Sequence, residues 1–187
     1  MKATLSCALK EWAVAVNALE QGKTILLLRK GGIREESGGF EVPNDTVLLY
    51  STFEHQQRDL LKPEYASQVT PVESGWHPET IQIGSYAHIT DVLPVTNQGA
   101  IKKLESFHIW NQQFVSDRLK WKPRQPVYLL LLRVYRLPEV QTIAYRPEYS
   151  GCKSWIDLAE PIAIAGSTPS LSDSDYNQQA NAIRQII

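Results

Sequence analysis

The sequence predicts an α+β fold, a single domain with a mixed, curved sheet or small barrel flanked by an N-terminal helix and a long central helical region. Two observations lead to this prediction. The apolar residues follow a helical spacing first, then strand-like patterns, then a long helical stretch and strands again. The chain has 187 residues, the size of one domain, and 43% of them are hydrophobic, which is enough to build a core.

The N-terminal part is predicted to be a helix followed by short strands. Apolar residues recur at helical spacing through residues 8–21, and Gly22 suits the position just after a helix end. Ser51 and Glu54 have the spacing of a capping box, which predicts a short helix through Leu61 that Pro63 ends. The strands predicted in this part are 24–30, 40–42 and 46–50.

The remainder of the domain is predicted to contain the central helical region, 98–120, between further strands. These strands are 67–73, 80–93, 127–135, 140–144 and 154–158. The domain is expected to span 1–165. From residue 166 onwards Ser, Pro, Asp, Asn and Gln dominate, so 166–187 is predicted to be a polar tail that contains a short helix from Ser172.

Several protein classes are excluded by what the sequence lacks. It contains no P-loop, no dinucleotide-binding glycine motif, no nucleophile elbow and no His-Glu-x-x-His zinc motif. Its longest apolar runs, 25–28 and 127–132, are far shorter than the about 20 residues of a membrane span. We therefore expect a cytoplasmic protein that does not enter a membrane and whose two cysteines are reduced thiols. No cofactor or metal can be assigned from these residues.

The charge is unevenly distributed along the chain. Nineteen basic and twenty acidic residues give a net charge of −1, which by itself argues against a strongly basic nucleic-acid binder. Residues 100–137, however, contain eight basic and two acidic residues, or +6, and the other eleven basic and eighteen acidic residues give −7. A local basic surface is therefore compatible with the near-neutral total.

The first candidate binding site is a basic and aromatic surface within 118–136. Alternating cations and aromatic rings are typical of nucleic-acid binding, because the cations contact phosphates while a ring stacks on bases. The alternative is the solvated end of a helix, with the tryptophan in the core. The candidate residues are Arg118, Lys120, Trp121, Lys122, Arg124, Arg133 and Arg136, and Tyr128 can extend the surface.

The second candidate is the glycine-rich basic loop 29–35. Arg29, Lys30 and Arg34 surround paired glycines, which let a backbone approach a phosphate or carboxylate closely. The alternative is an ordinary loop with charged residues on its surface. For catalysis the candidates are Glu41 and His55, and the imidazole of His55 can act as a general base or bind an anion. A structural histidine is the alternative to this catalytic role.

Several blocks of the sequence resemble an uncharacterised prokaryotic family of domains of unknown function, DUF1802. The blocks are 9–12, 27–35, 52–56, 75–79, 108–110, 118–137 and 151–155. The resemblance extends to about residue 158 and implies no catalytic residue, because the family has no activity to carry over. The opening helix, Gly22-Lys23-Thr24 and the strand after it are also similar to ASCH and PUA-type domains. That likeness implies a small barrel of a kind that mostly binds RNA or modified bases.

Three functions are compatible with the sequence. The first is a polyanion-binding module for RNA or DNA that uses the surface 118–136 and the loop 29–35. The second is a hydrolase or nuclease-like enzyme acting on a nucleotide or nucleic-acid phosphate. Its acid, base or metal-binding groups would be Glu11, Glu35, Glu41 and His55, beside Lys30 and Arg34. The third is an interaction module that presents the basic surface to an acidic protein partner. The oligomeric state cannot be predicted.

Overall fold

A mixed, curved and unclosed sheet forms the centre of the protein. The computed structural model describes residues 4–30 and 40–187. In this part of the chain the strands are β1 (Thr4–Trp12), β2 (Leu26–Arg29), β3 (Thr46–Thr52), β4 (Thr80–Val95), β5 (Val127–Ala144), β6 (Trp155–Ala163) and β7 (Thr168–Pro169). Their order is β2-β5-β4-β3-β1-β6, and β7 pairs with β5. Strands β1 and β3 are parallel and the other pairs antiparallel. The predicted α+β class is confirmed.

Five α-helices accompany the sheet in the described residues. They are α1 (Ala13–Glu20), α2 (Pro63–Ala66), α3 (Gln98–Lys103), α4 (Gln112–Lys120) and α5 (Asp173–Ile186). Alternate residues of β3 face two apolar clusters, because successive side chains of a strand point to opposite faces of the sheet. Val47 and Leu49 join the larger cluster, and Leu48 and Tyr50 join the smaller one. None of the helices in the described residues is long and apolar enough to cross a membrane.

The N-terminal helix exists but begins later than the sequence pattern predicts. Residues 4–12 form β1, which pairs with β3 from Ala8 opposite Leu48 to Trp12 opposite Thr52. Helix α1 begins only at Ala13. The helical spacing of the apolar residues is real, but pairing with two neighbouring strands decides the local structure of β1.

Three predictions in the segment before β4 are wrong: the short helix from Ser51, the strand 40–42 and the strand 67–73. Ser51 lies in β3 and caps no helix, and Pro63 is the first residue of α2, where proline fits well, and does not end a helix. Residues 40–42 and 67–73 form no strand. Side chains satisfy part of their backbone: Trp155 donates to the carbonyl of Glu41, and Arg58 donates to the carbonyl of Val69.

The central helical region is broken into two helices. Between α3 and α4 the chain passes through a short 3-10 turn, 105–107, and an extended stretch in which Trp110 forms a β-bridge with Leu61. Asn111 then starts α4 by accepting a hydrogen bond from the amide of Phe114. Residues 127–135 and 140–144, predicted as two strands, belong to the single strand β5.

Helix α5 packs onto the larger apolar cluster. Ser172 caps its start, and Tyr176, Ala180 and Ile183 are buried in that cluster. Arg133 of β5 holds the helix start, donating to the Leu171 carbonyl at 2.7 Å and to Asp173 at 2.6 Å. The chain after residue 166 is therefore in contact with the sheet.

Candidate nucleic-acid interface

The end of β2 meets the end of α4. The amino group of Lys30, a residue that is 6% exposed, lies 2.7 Å from the carbonyl oxygen of Arg118 and 3.4 Å from that of Leu119. Carbonyls in the last turn of a helix lack helical partners and carry the negative end of the helix dipole. Lys30 therefore donates hydrogen bonds to the unpaired carbonyls at the C-terminal end of α4. Residues of the two basic clusters that the sequence indicates lie side by side here.

Arg29 is bound within the structure at the same place. Its guanidinium forms an ion pair with Glu11 at 3.2 Å and donates to the carbonyl of Lys10 at 2.8 Å. The guanidinium also lies 5.8 Å from the centre of the Phe40 ring. Arg29 thus ties the end of β2 to β1. The rest of the predicted loop, including Arg34 and Glu35, lies outside the described residues.

Arg118 lies over an aromatic ring on its own helix. Its guanidinium is 4.9 Å from the centre of the Phe114 ring, one helical turn earlier. Burial, followed by the charge of Arg29, lowers the pKa of Arg118, while Glu11 raises it. Burial, followed by the charges of Arg118 and Lys122, lowers the pKa of Lys30. The cations of β2 and α4 are therefore close enough to repel one another.

Four residues that follow this contact form a group that we call the basic rim: Lys120, Trp121, Lys122 and Arg124. Three of them are exposed, and Lys122 is half-buried. Trp121 is 40% exposed, so its ring is at the surface and does not belong to the core. The amino group of Lys122 lies 4.8 Å from the centre of that ring. Lys120 and Arg124 are exposed, and neither has a hydrogen bond or ion pair within residues 4–30 and 40–187.

The other two basic candidates lie elsewhere along β5. Tyr128 of β5 pairs with Arg29, and Arg133 is five residues further on, which is about 17 Å of extended strand. Arg133 is buried and bonded to the start of α5. Arg136 is exposed and pairs with Thr168 of β7. Neither of these two arginines adjoins the contact between Lys30 and Arg118.

The two catalytic candidates make separate contacts. His55 is exposed, has a left-handed backbone (φ 67°), and its Nε2 lies 3.4 Å from a carboxylate oxygen of Glu54. The Gly75 amide, more than His55, lowers the pKa of Glu54. Glu41 is also exposed, and its carbonyl accepts a hydrogen bond from Trp155. The carboxylate paired with His55 is therefore that of Glu54. The described residues contain no cluster of three or more His, Cys, Asp or Glu that could hold a metal.

Phe114 is a residue of the site that the sequence prediction does not include, although the sequence indicates it. Phe114 precedes Arg118 by four residues, which is the spacing that places two side chains on the same helix face. The Phe114 ring supports the guanidinium and packs against Trp12 of β1 and against Trp110. An aromatic residue four positions before an arginine was the available indication of this support.

Comparisons with known proteins give one family and a set of similar structures. A family model described as "Domain of unknown function (DUF1802)" matches residues 8–182, including most of the segment after residue 166. No curated protein matches the chain. The crystal structure of ASCH from Zymomonas mobilis is similar at a TM-score of 0.46 and 12% identity, covering 94% of this chain and 93% of that one. A serine-to-alanine mutant of that protein has a TM-score of 0.47 and 11% identity, covering 98% and 99% of the two chains.

Proposed function

The chain belongs to the DUF1802 family of domains of unknown function, and we propose that it is a cytoplasmic module that binds RNA or DNA through the basic rim. Because the TM-scores to the ASCH structures are below 0.5, this proposal is based on the chain's own residues. The observation that carries it is the contact between Lys30 and Arg118, which joins the cations of β2 to the helix end from which the basic rim continues.

The charges around this contact favour a polyanion as the ligand. The basic residues are Arg29, Lys30, Arg118, Lys120, Lys122 and Arg124, and Glu11 is the carboxylate that forms an ion pair with one of them. Lys120 and Arg124 extend into solvent, where they can contact phosphates. Each phosphate that is neutralised releases counterions, which gives favourable and salt-dependent binding.

The exposed ring of Trp121 favours a nucleic acid over an acidic protein. An aromatic side chain between cations can stack on a base while the cations bind the flanking phosphates. An acidic protein supplies carboxylates to the same cations but offers no bases to the ring. Trp121 is a surface residue adjacent to Lys120 and Lys122, a combination of ring and cations that is typical of single-strand binding.

A salt titration with matched variants tests this proposal. We expect a single-stranded RNA or DNA of about twelve nucleotides to bind at about 50 mM salt and to lose most of its affinity by about 200 mM. The triple variant K120A/K122A/R124A should bind at least about tenfold more weakly, with a log–log salt slope lower by about 2. The control K23A/K103A/R136A removes the same charge from exposed positions outside the basic rim.

The outcomes separate the proposed function from its alternatives. No binding at low salt, salt-independent binding, or equal losses in the two triple variants would contradict nucleic-acid binding at the basic rim. If an acidic protein is captured and remains bound after nuclease treatment, the interaction module is supported instead. The pair of Glu54 and His55 favours the second alternative, hydrolysis of a nucleic-acid phosphate. Cleavage of the bound oligonucleotide that His55→Ala abolishes would establish this activity.

A further inference from the structure

We propose that Arg118, with Arg29 and Lys30 beside it, binds the terminal phosphate of a nucleic-acid strand. This inference rests on the proposed function, since the strand itself is held by the basic rim. It assigns a ligand to the buried and half-buried cations next to the basic rim, and it adds a preference for one kind of strand end. The group formed by Arg29, Lys30 and Arg118 is called the phosphate site below.

The guanidinium of Arg118 is supported by a ring, and its hydrogen-bond donors have no partner among residues 4–30 and 40–187. The Phe114 ring supports the guanidinium at 4.9 Å, and that ring is stacked on Trp110 with 4.9 Å between ring centres. The carbonyl of Arg118 is held by Lys30 at 2.7 Å. The guanidinium makes no hydrogen bond or ion pair to any residue in the described part of the chain. A planar guanidinium in a fixed position can bind two oxygens of one phosphate.

Among the described residues, the positive charge of the phosphate site exceeds the negative charge of its neighbours. Glu11 is buried and paired with Arg29 at 3.2 Å, and it is also the carboxylate whose charge acts on Arg118. The amino group of Lys30 is held by helix carbonyls, which offset only part of its charge. Repulsion among these cations accompanies the lowered pKa of Lys30 and of Arg118. A bound anion would remove this repulsion.

The depth of the site favours a strand end over an internal phosphate. Lys30 and Glu11 are buried and Arg118 is half-buried, whereas Lys120 and Arg124 are exposed. An internal phosphodiester has a nucleoside on both sides and carries one negative charge, so it remains at the exposed residues. A terminal phosphate has a nucleoside on one side only and carries a charge of about −1.5 to −2 at neutral pH. A terminal phosphate can therefore enter the phosphate site and neutralise more of the positive charge there.

The experiment compares strand ends on the unmodified protein and on two arginine variants. The probes are single-stranded RNAs of the same sequence with a 5′-phosphate, a 3′-phosphate or hydroxyl groups at both ends, measured by fluorescence anisotropy. We expect one phosphorylated end to bind about tenfold or more tightly than the hydroxyl end, as charge-assisted hydrogen bonds would give. Arg118→Gln should remove this difference, so that the phosphorylated and hydroxyl-ended strands bind to the variant with equal affinity. Inorganic phosphate should compete with the phosphorylated strand more than with the hydroxyl-ended one.

Arg124→Gln is the matched control, because Arg124 is exposed and belongs to the basic rim. This variant should weaken all three strands equally. Equal binding of the three strands to the unmodified protein would contradict the phosphate site but not the proposed function. This result does not depend on whether a variant folds. A preference that survives in Arg118→Gln would also overturn it. Failure of all three strands to bind at low salt would overturn the proposed function, and the phosphate site with it.

Discussion

The amino group of Lys30 lies 2.7 Å from the carbonyl oxygen of Arg118, a residue 88 positions later in the chain. This contact connects the end of β2 to the last turn of α4, from which the basic rim continues. A buried lysine is stable only when its amino group has hydrogen-bond acceptors, and here two helix carbonyls provide them. The contact therefore determines where the basic rim lies relative to the sheet.

Substitution of Lys30 tests this structural role. Lys30→Met keeps an unbranched side chain of similar length but removes the amino group, which leaves the carbonyls of Arg118 and Leu119 without their donor. We expect the free energy of unfolding in urea to fall by about 1–3 kcal/mol, the cost of unpaired buried polar groups. The control Lys120→Met, at an exposed position, should change it by less than about 0.5 kcal/mol. Equal effects of the two substitutions would contradict the anchoring role of Lys30.

Arg133 should act on stability and not on nucleic-acid affinity. Its buried guanidinium bonds to Leu171 and Asp173 and lies 5.0 Å from the centre of the Tyr176 ring. Arg133→Met removes these contacts and should lower the free energy of unfolding by about 1–3 kcal/mol. Because the phosphate site and the basic rim are untouched, the affinity of the folded variant for an oligonucleotide should stay within about twofold. A loss of affinity as large as that of K120A/K122A/R124A would place Arg133 in the interface after all.

The buried His108 predicts a fall in stability at mildly acidic pH. Burial, followed by the charge of Lys62, lowers the pKa of His108 from 6.5 to about 4. As the pH falls below 6.5, His108 therefore becomes protonated in the unfolded chain but stays neutral in the folded protein. The contribution of neutral His108 to the free energy of unfolding is fully present above pH 6.5. It falls by up to about 3 kcal/mol as the pH is lowered from 6.5 to 4. Denaturant titrations across this range should show a smaller fall for His108→Phe, and equal falls in both proteins would contradict the prediction.

The sequence predicts the architecture well where a segment has one structural option. Val127 to Leu132 is a continuous apolar run, and it forms the central part of β5. The first helix is predicted too long because the apolar residues of 8–12 fit a helix face and a buried strand equally well. Parallel pairing of Ala8 with Leu48 decides between the two, and no local pattern contains this long-range contact.

The sequence predicts which residues form the basic rim, but it does not predict how they are arranged in space relative to Lys30 and Arg133. Charge counting along the sequence identifies Lys120, Lys122 and Arg124, which are close in sequence and lie together in the basic rim. The contribution of Lys30 depends on the pairing of Arg29 with Tyr128, which brings β2 beside the segment after α4. Arg133 belongs to the same charged stretch, yet it faces α5, because a strand carries its residues away from the helix end.

Trp121 should contribute to affinity without contributing to salt dependence. Stacking of one base on an aromatic ring is worth about 1–3 kcal/mol, so Trp121→Ala should weaken binding of a single strand by about five- to 150-fold. The log–log salt slope should not change, because the slope depends on how many cations contact phosphates. Trp76→Ala is the matched control, since Trp76 is 45% exposed and lies on the turn before β4. Duplex of the same sequence should be affected less than the single strand, because its bases are already stacked. An equal loss in the two tryptophan variants, or a slope that falls with Trp121→Ala, would contradict stacking at this ring.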